Sequence, residues 1–216
     1  IIKAMRALAE ELGVVFHTNS PVEKILVENG TVKGLQANGT DYSSDYVISG
    51  ADYHHSESLL DPKYRQYTET YWEKKTYAPS SLLFYVGFTK KLDRIEHHNL
   101  FFDTDFEKHA ELREQYFDLI IDRFEKRTGQ SVKDAIQFKE SFCVNDFVEQ
   151  YNSYKGNAYG MANTLRQTAF LRPNLKSKKV QNLYFSGQLT VPGPGVPPSL
   201  ISGKLVSSLI SKKPTS

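Results

Sequence analysis

The sequence has almost no cysteine and no long apolar run. Its one cysteine, Cys143, cannot form an intramolecular disulfide, and no metal site can rest on cysteines. No apolar stretch approaches the ~20 residues that a membrane-spanning helix needs, so we expect a soluble or peripheral protein. Neither charge sign is in clear excess, since 27 Lys and Arg stand against 25 Asp and Glu. This balance gives no support to nucleic-acid binding, which normally requires a concentrated basic surface.

The first residues also lack the features of a natural N-terminus. The sequence begins with Ile1 and not with an initiator Met. It also lacks the succession of a charged region, an apolar region and a cleavage site that defines a signal peptide. The chain opens within a helical pattern that has no capping residue before it, which leaves the first N–H groups unsatisfied. We therefore expect the sequence to be part of a longer chain.

The 216 residues are 39% apolar and 24% charged, which excludes a disordered chain. Helical spacing predicts a first helix over residues 1–12, and Val14 to His17 is predicted as a buried strand. Asn29-Gly30 between alternating segments predicts a hairpin of strands 22–28 and 31–37. A second turn, Asn38-Gly39, leads to a predicted strand over 45–52.

The middle of the chain alternates between helical and strand patterns. Residues 53–76 are predicted to be helical, with a new helix at Pro62, and strands are predicted over 81–88, 99–102 and 133–142. A helix over 111–128 is predicted to turn one apolar side inward, formed by Leu112, Tyr116, Leu119, Ile120 and Phe124. A short helix over 145–151 is predicted to begin with an Asn cap.

The segment from Leu183 to Leu209 carries the most chemical information. A predicted strand ends at Gly187, a Pro/Gly loop follows, and a helix begins with Pro197 and Pro198 in its first turn, where proline is well tolerated. Glycines at 193 and 195 allow the backbone to approach a ligand closely. N–H groups of Val196, Ser199 and Leu200, with the helix dipole, favour a negative charge. From the pattern alone, an ordinary strand–turn–helix connection explains the segment as well.

This segment resembles the C-terminal flavin motif of phytoene desaturase-type carotenoid desaturases, in their bacterial form. The resemblance rests on residues 182–204, on residues 154–169, on residues 97–102 and on the opening helix–strand–hairpin. It covers nearly the whole chain. Hydroxycarotenoid desaturases usually have a His-Pro-Gly-Gly-Gly type of loop, so Thr190-Val191-Pro192-Gly193-Pro194-Gly195 favours the phytoene branch.

The chain also departs from that family. The family begins with a βαβ unit bearing Gly-x-Gly-x-x-Gly, which binds the FAD pyrophosphate, and these 216 residues contain no such motif. A second gap is expected near His109-Ala110, where the family usually has more strand and loop. Both differences again predict that the sequence is incomplete.

The resemblance implies a mixed α/β fold, as part of a two-domain FAD/NAD(P)-binding, Rossmann-like flavoprotein with a mixed-sheet substrate domain. It divides the chain into a remainder of the FAD-binding domain (1–60), a substrate-binding domain (61–160) and a return to the FAD-binding domain (161–216). The cofactor-binding residues implied by the motif are Gly187, Gln188, Pro192, Gly193, Gly195, Val196 and Pro197. Val22, Ala51 and Asp52 are implied to border the same cofactor.

The implied activity is FAD-dependent desaturation of a C40 carotenoid precursor, from phytoene towards lycopene. Hydride goes to the flavin, a proton leaves the neighbouring carbon, and a quinone or oxygen accepts the electrons. The protein is then expected to be cytoplasmic and attached peripherally to the inner membrane, with a long apolar substrate and no nucleic-acid partner. The aromatic residues around 81–88, 99–102 and 142–159 could line a hydrocarbon tunnel, and Asp146 and Glu149 are ionisable groups in that region.

Two other functions remain open on the sequence alone. A carotenoid isomerase or hydroxycarotenoid desaturase could share the fold, and a non-catalytic isoprenoid-binding protein could have lost its flavin. The histidine pairs His54-His55 and His97-His98 are not expected to bind metal, because neighbouring residues on a helix or strand do not converge on one point.

Overall fold

The computed structural model describes residues 1–93, 95, 96, 98 and 113–211. The helices are α1 (Ile2–Glu11), α2 (Tyr53–Ser58), α3 (Glu69–Glu73), α4 (Arg113–Thr128), α5 (Val144–Tyr151) and α6 (Val196–Ser211). The strands are β1 (Val22–Glu28), β2 (Thr31–Ala37), β3 (Thr40–Ser43), β4 (Val47–Ser49), β5 (Leu83–Phe88), β6 (Ile136–Phe142) and β7 (Leu183–Phe185). Among the described residues, no helix combines the length and apolarity needed to cross a membrane.

Within the described residues the strands form three small sheets, which confirm a mixed α/β fold. β1, β2 and β3 pair antiparallel in that order, β5 pairs antiparallel with β6, and β4 pairs parallel with β7. The predicted hairpin is confirmed, with Asn29 and Gly30 both at positive φ in the turn. β3 was not predicted, because its four residues are all exposed and show no apolar alternation.

The prediction of a buried strand over Val14 to His17 is wrong. These residues are exposed and belong to no strand. A strand needs a neighbour for its backbone hydrogen bonds, and the described part of the chain offers none to this segment.

One apolar core lies around β4 and β7. It contains Ile25 and Val32 of the hairpin and Leu183 and Phe185 of β7, and the rings of Tyr53 and Phe185 stack with their centroids 4.0 Å apart. Trp72, 1% exposed, belongs to the same core. Residues on both sides of the predicted domain boundary at residue 61 therefore contribute to this core, and the boundary itself stays a prediction.

A second core lies between α4 and the β5–β6 sheet. Phe117 and Ile121 of α4 are buried there with Val132. The predicted inward side of this helix is partly wrong, because Leu119 and Ile120 are exposed. The helix carries apolar residues on several sides, so its period alone does not select the side that meets the sheet. Leu112 and the strand predicted over 99–102 lie outside the described residues.

Two local predictions also need correction. The helical region 53–76 is broken into α2, a 3-10 turn at Pro62–Tyr64 and α3. The short helix at 144–151 is capped by Cys143, not by an Asn, because Asp146 accepts a 2.7 Å hydrogen bond from the Cys143 N–H.

Candidate functional site

A cavity of about 480 Å³ opens at the carboxyl ends of β4 and β7. The two strands run parallel in the register Val47 with Leu183 and Ser49 with Phe185, so they end side by side. Ligands of α/β proteins commonly bind in such a crevice, where the chains leaving adjacent parallel strands diverge. The lining residues are Gly50, Ala51, Asp52, Phe147, Tyr151, Ser153, Asn157, Ala158, Ser186, Gly187, Gln188, Leu189 and Ser199.

The carboxylate of Asp52 accepts hydrogen bonds from four donors. Its Oδ1 accepts the N–H groups of His54 (3.0 Å) and His55 (3.4 Å), which caps α2. Its Oδ2 accepts Tyr154 N–H (3.2 Å) and Asn157 Nδ2 (3.3 Å). Asp52 therefore fixes the end of β4 to the segment that forms the opposite wall of the cavity.

Asn157 connects that wall to β7. It is 2% exposed, and its Oδ1 accepts Gly160 N–H (2.9 Å) and Gln188 Nε2 (3.3 Å). Since the Asn157 side chain also bonds Asp52, three chain segments meet at one buried amide. The motif over 154–169 carried the resemblance, but only the fold shows that Asn157 holds the cavity together.

Gly187 is the point where β7 turns towards α6. Its φ is +105°, a conformation that other residues rarely adopt, and only Gly50 O lies within 4 Å of where a Cβ would stand. Its N–H donates to Ser202 Oγ of α6 (2.8 Å), and its carbonyl accepts Thr190 Oγ1 (2.8 Å). The Gly187 backbone is thus held by hydrogen bonds, while the space beside its Cα is left free of side chains.

The Pro/Gly loop leads from the cavity to the start of α6. Gly193 and Gly195 both have positive φ, at +137° and +111°. The expectation that the Ser199 N–H is free for a ligand is wrong, because it donates to Gly195 O at 3.0 Å. Pro197 and Pro198 carry no N–H, so with the Ser199 N–H bonded the start of the helix offers few donors to a ligand.

Four of the ten predicted cofactor residues meet at this cavity: Ala51, Asp52, Gly187 and Gln188 line it. Pro192, Gly193, Gly195, Val196 and Pro197 follow in the loop and first turn of α6, whose Ser199 reaches the lining. Val22 begins β1 opposite Ala37, outside the lining. Their roles in cofactor binding stay predictions.

Aromatic residues of the segment over 142–159, in which tunnel-lining side chains were expected, form one wall of the cavity. Phe147 and Tyr151 of α5 line the cavity, and Phe147 packs edge-on against Phe142 of β6 with ring centroids 4.7 Å apart. The outer face of β5–β6 continues from there with the exposed rings of Tyr85 and Phe138. The amphipathic pattern of α5 could have indicated this wall, but not which face meets the cavity.

Asp146 lies close to this aromatic wall but is engaged in structure. It accepts the Cys143 N–H, and its Oδ2 lies 2.9 Å from Arg113 Nη2. The Cys143 hydrogen bonds and the Arg113 cation lower the pKa of this carboxyl. Asp146 is therefore a weak base, poorly suited to accept a proton from carbon.

His54 is held by Glu69, 2.8 Å from its Nε2, and its ring packs on Tyr154. Within residues 1–93 and 113–211 and the few described between them, no three potential metal ligands lie together. His97 lies outside the described residues.

The chain is similar to known carotenoid enzymes over almost its full length. It is 34% identical to "Carotenoid 3,4-desaturase" of Haloarcula japonica over 94% of this chain and 51% of the relative. It is 27% identical to "zeta-carotene-forming phytoene desaturase" of Myxococcus xanthus over 96% of this chain and 50% of the relative. The resemblance stated from the sequence is thereby confirmed, and the chain spans about half the length of these relatives.

The alignment with the Haloarcula protein extends over 254 residues, more than the 216 of this chain. The relative therefore has residues within the aligned region that this chain lacks. That they lie near His109-Ala110 stays a prediction.

A solved structure supports the fold. An oxidoreductase from Methanosarcina mazei superposes with a TM-score of 0.63 at 14% identity, covering 98% of this chain and 53% of the other. The family model for flavin containing amine oxidoreductase matches residues 2–132, which confirms the predicted flavoprotein fold and, at the level of the family, the flavin cofactor. On this evidence the chain belongs to the flavin containing amine oxidoreductase family.

Proposed function

We propose that the full-length protein is an FAD-dependent desaturase of a C40 carotenoid precursor. The observation that carries this proposal is the 34% identity, over 94% of the chain, to an enzyme named a carotenoid desaturase. The cavity at the ends of β4 and β7 supports it, because its volume lies within the roughly 300–1,000 Å³ usual for ligand pockets.

The residues around the cavity fit one part of a flavin. Gly50 and Gly187 present backbone without side chains, so a flat ring can approach closely. Gln188 and Asp52 hold the two strand ends in place through Asn157. The positive end of the α6 dipole lies next to the loop that follows Gly187. When bound, FAD supplies the acceptor for the hydride that leaves an allylic carbon.

The aromatic wall fits a long hydrocarbon. Phe147 and Tyr151 in the cavity, and the exposed Tyr85 and Phe138 on the outer face of β5–β6, supply aromatic surface for it. Such a substrate is bound mainly by shape and dispersion, and these side chains would also exclude water from the reacting carbon.

The remaining partners follow from the chemistry of that substrate. A C40 hydrocarbon resides in lipid, so we propose that the protein attaches peripherally to the cytoplasmic face of the inner membrane. A quinone dissolved in the same lipid, or oxygen, would then accept the electrons.

The test is to incubate the purified full-length protein with phytoene in lipid vesicles containing a quinone, and to analyse the products by absorbance and mass. We expect a yellow, FAD-containing protein and products that have lost pairs of hydrogens. A product of unchanged mass would instead indicate an isomerase. A colourless protein without FAD would contradict the proposal and indicate a non-catalytic binding protein.

A second candidate is desaturation at carbons 3 and 4 of an already conjugated carotenoid. It is favoured by the higher identity to the 3,4-desaturase, 34% against 27% for the phytoene desaturase. Parallel incubations with phytoene and lycopene separate the two. Consumption of lycopene with phytoene untouched would assign the second activity.

A further inference from the structure

Arg172 is a buried cation with an unusual set of partners. It is 3% exposed, and its guanidinium donates to three neutral oxygens: Gln188 O at 3.1 Å, Met161 O at 3.1 Å and Asn163 Oδ1 at 2.6 Å. Its Nε is buried and has no hydrogen-bond partner in the described structure. Burial lowers the pKa of this group, and no neighbouring charge contributes.

This arrangement leaves a positive charge without a counter-ion. Buried arginines are normally paired with a carboxylate, because an uncompensated charge in the interior is costly. In the described part of the chain, no carboxylate oxygen lies within 4.0 Å of the Arg172 guanidinium. The fold therefore maintains an unbalanced positive charge at this position.

Arg172 is bonded to the backbone of the candidate flavin site. It holds the carbonyl of Gln188, whose residue lines the cavity. It also lies beneath the Pro/Gly loop, since a Cβ on Gly193 would stand 3.4 Å from Arg172 Cζ and Nε. The guanidinium thus holds one end of the loop over 188–193 by a hydrogen bond and lies close to the other end.

We propose that Arg172 is a positioning residue that fixes this loop against the flavin and whose charge favours the negative charge that the ring gains on reduction. This inference rests on the proposed function. In a medium of low dielectric constant a cation acts over several ångströms without direct contact. The expected consequence is a higher reduction potential of the bound flavin.

The experiment uses full-length FAD-loaded protein and measures the midpoint potential of the bound flavin, together with its dissociation constant. Arg172→Gln removes the charge and should lower the potential. A tenfold weaker preference for the reduced over the oxidised ring corresponds to about 30 mV for a two-electron couple. Arg172→Lys keeps the charge but not the three-way hydrogen bonding, so FAD should bind more weakly while the potential stays near the wild-type value.

Asn163→Asp is a second test, in which the charge of Arg172 is neutralised by an added carboxylate instead of being removed. It supplies the missing carboxylate at a position whose oxygen lies 2.6 Å from Arg172 Nη2. We expect this variant to lower the flavin potential while raising the melting temperature, and it decides the question if Arg172→Gln does not fold. Arg166 is an exposed arginine of the same segment, so Arg166→Gln is the matched control. It should change neither the flavin potential nor the melting temperature.

The inference is overturned if Asn163→Asp, or a folded Arg172→Gln, keeps the wild-type potential. It is also overturned if the Lys and Gln variants lower the potential equally, because the charge would then be irrelevant. A wild-type protein that contains no FAD would instead refute the proposed function.

Discussion

Glu57 is a single residue whose ionisation should set part of the pH dependence of folding. It is 2% exposed in α2, and its Oε1 accepts the N–H of Gln66 at 2.8 Å. Burial raises the pKa of this carboxyl, against the lowering effect of the Gln66 and Tyr67 N–H groups. The folded state therefore holds the proton more tightly than the unfolded chain does.

The free energy of unfolding should consequently fall as pH rises from the ordinary carboxyl pKa of 4.5 through the raised pKa of the folded state. Glu57→Gln keeps an oxygen for the same N–H groups and removes the ionisation. We expect it to raise the melting temperature at pH 7, by about 2–4 °C for each kcal/mol gained, with the gain vanishing below pH 4.5. Thermal unfolding of both proteins across pH checks this, and a gain that persists below pH 4.5 would contradict it.

The loop that leads into α6 allows a test of whether this part of the chain borders the flavin. Gly195 has φ +111°, and a Cβ there would lie 3.4 Å from Pro198 Cδ. A β-branched residue in this conformation costs ~1–3 kcal/mol, so Gly195→Val should displace the first turn of α6 and abolish FAD retention without unfolding the chain. FAD content after gel filtration measures this.

Gly203→Ala in the same helix is the matched control. Nothing lies within 4 Å of a Cβ at this position, so the change should stabilise α6 by up to ~1 kcal/mol and leave FAD bound. Unchanged FAD content in Gly195→Val would show that the loop does not border the flavin.

Elements with strong local signals were predictable, and elements defined by distant contacts were not. The Asn29-Gly30 turn specifies its hairpin locally, and Pro197 marks the start of α6. By contrast, the buried side of α4 depends on packing against β5–β6, where Phe117 rather than Leu119 meets the sheet. The cap of α5 could not be foreseen either, since Cys143 is an uncommon capping residue.

The same distinction applies to the candidate site. Gly187 and Gln188 line the cavity, and they could be named beforehand because the motif that carries the family resemblance is one contiguous stretch of sequence. Asn157 was missed because its role depends on simultaneous contacts to Asp52 and Gln188, which are distant in sequence. Arg172 was missed for the same reason, since only the fold shows that it has no counter-ion.

At the scale of the whole molecule, α1 presents an apolar side that nothing in the described structure covers. None of its residues is buried, and Met5 and Leu8 are exposed together with Leu12 just beyond its end. Contiguous exposed apolar residues usually mark an interface. Since the chain spans about half of its relatives, we predict that the remainder of the full-length protein covers this side.

Leu8→Asp should then destabilise the full-length protein by about 1–3 kcal/mol. Ala7→Asp, an exposed position on another side of the same helix, should stay within about 0.5 kcal/mol of wild type. Chemical denaturation of the full-length variants measures both. Equal effects of the two substitutions would show that the apolar side of α1 remains in water.

The parallel pairing of β4 with β7 has a consequence for how the protein is made. The pairing joins Val47 to Leu183, which are separated by most of the chain. Contacts of such long sequence separation form slowly, because a large loop must close first. During translation the hairpin and the α4–β5–β6 unit can form while β7 is still inside the ribosome. The cavity comes into existence only after β7 has left the ribosome and paired with β4, so any cofactor can be loaded there only late in folding.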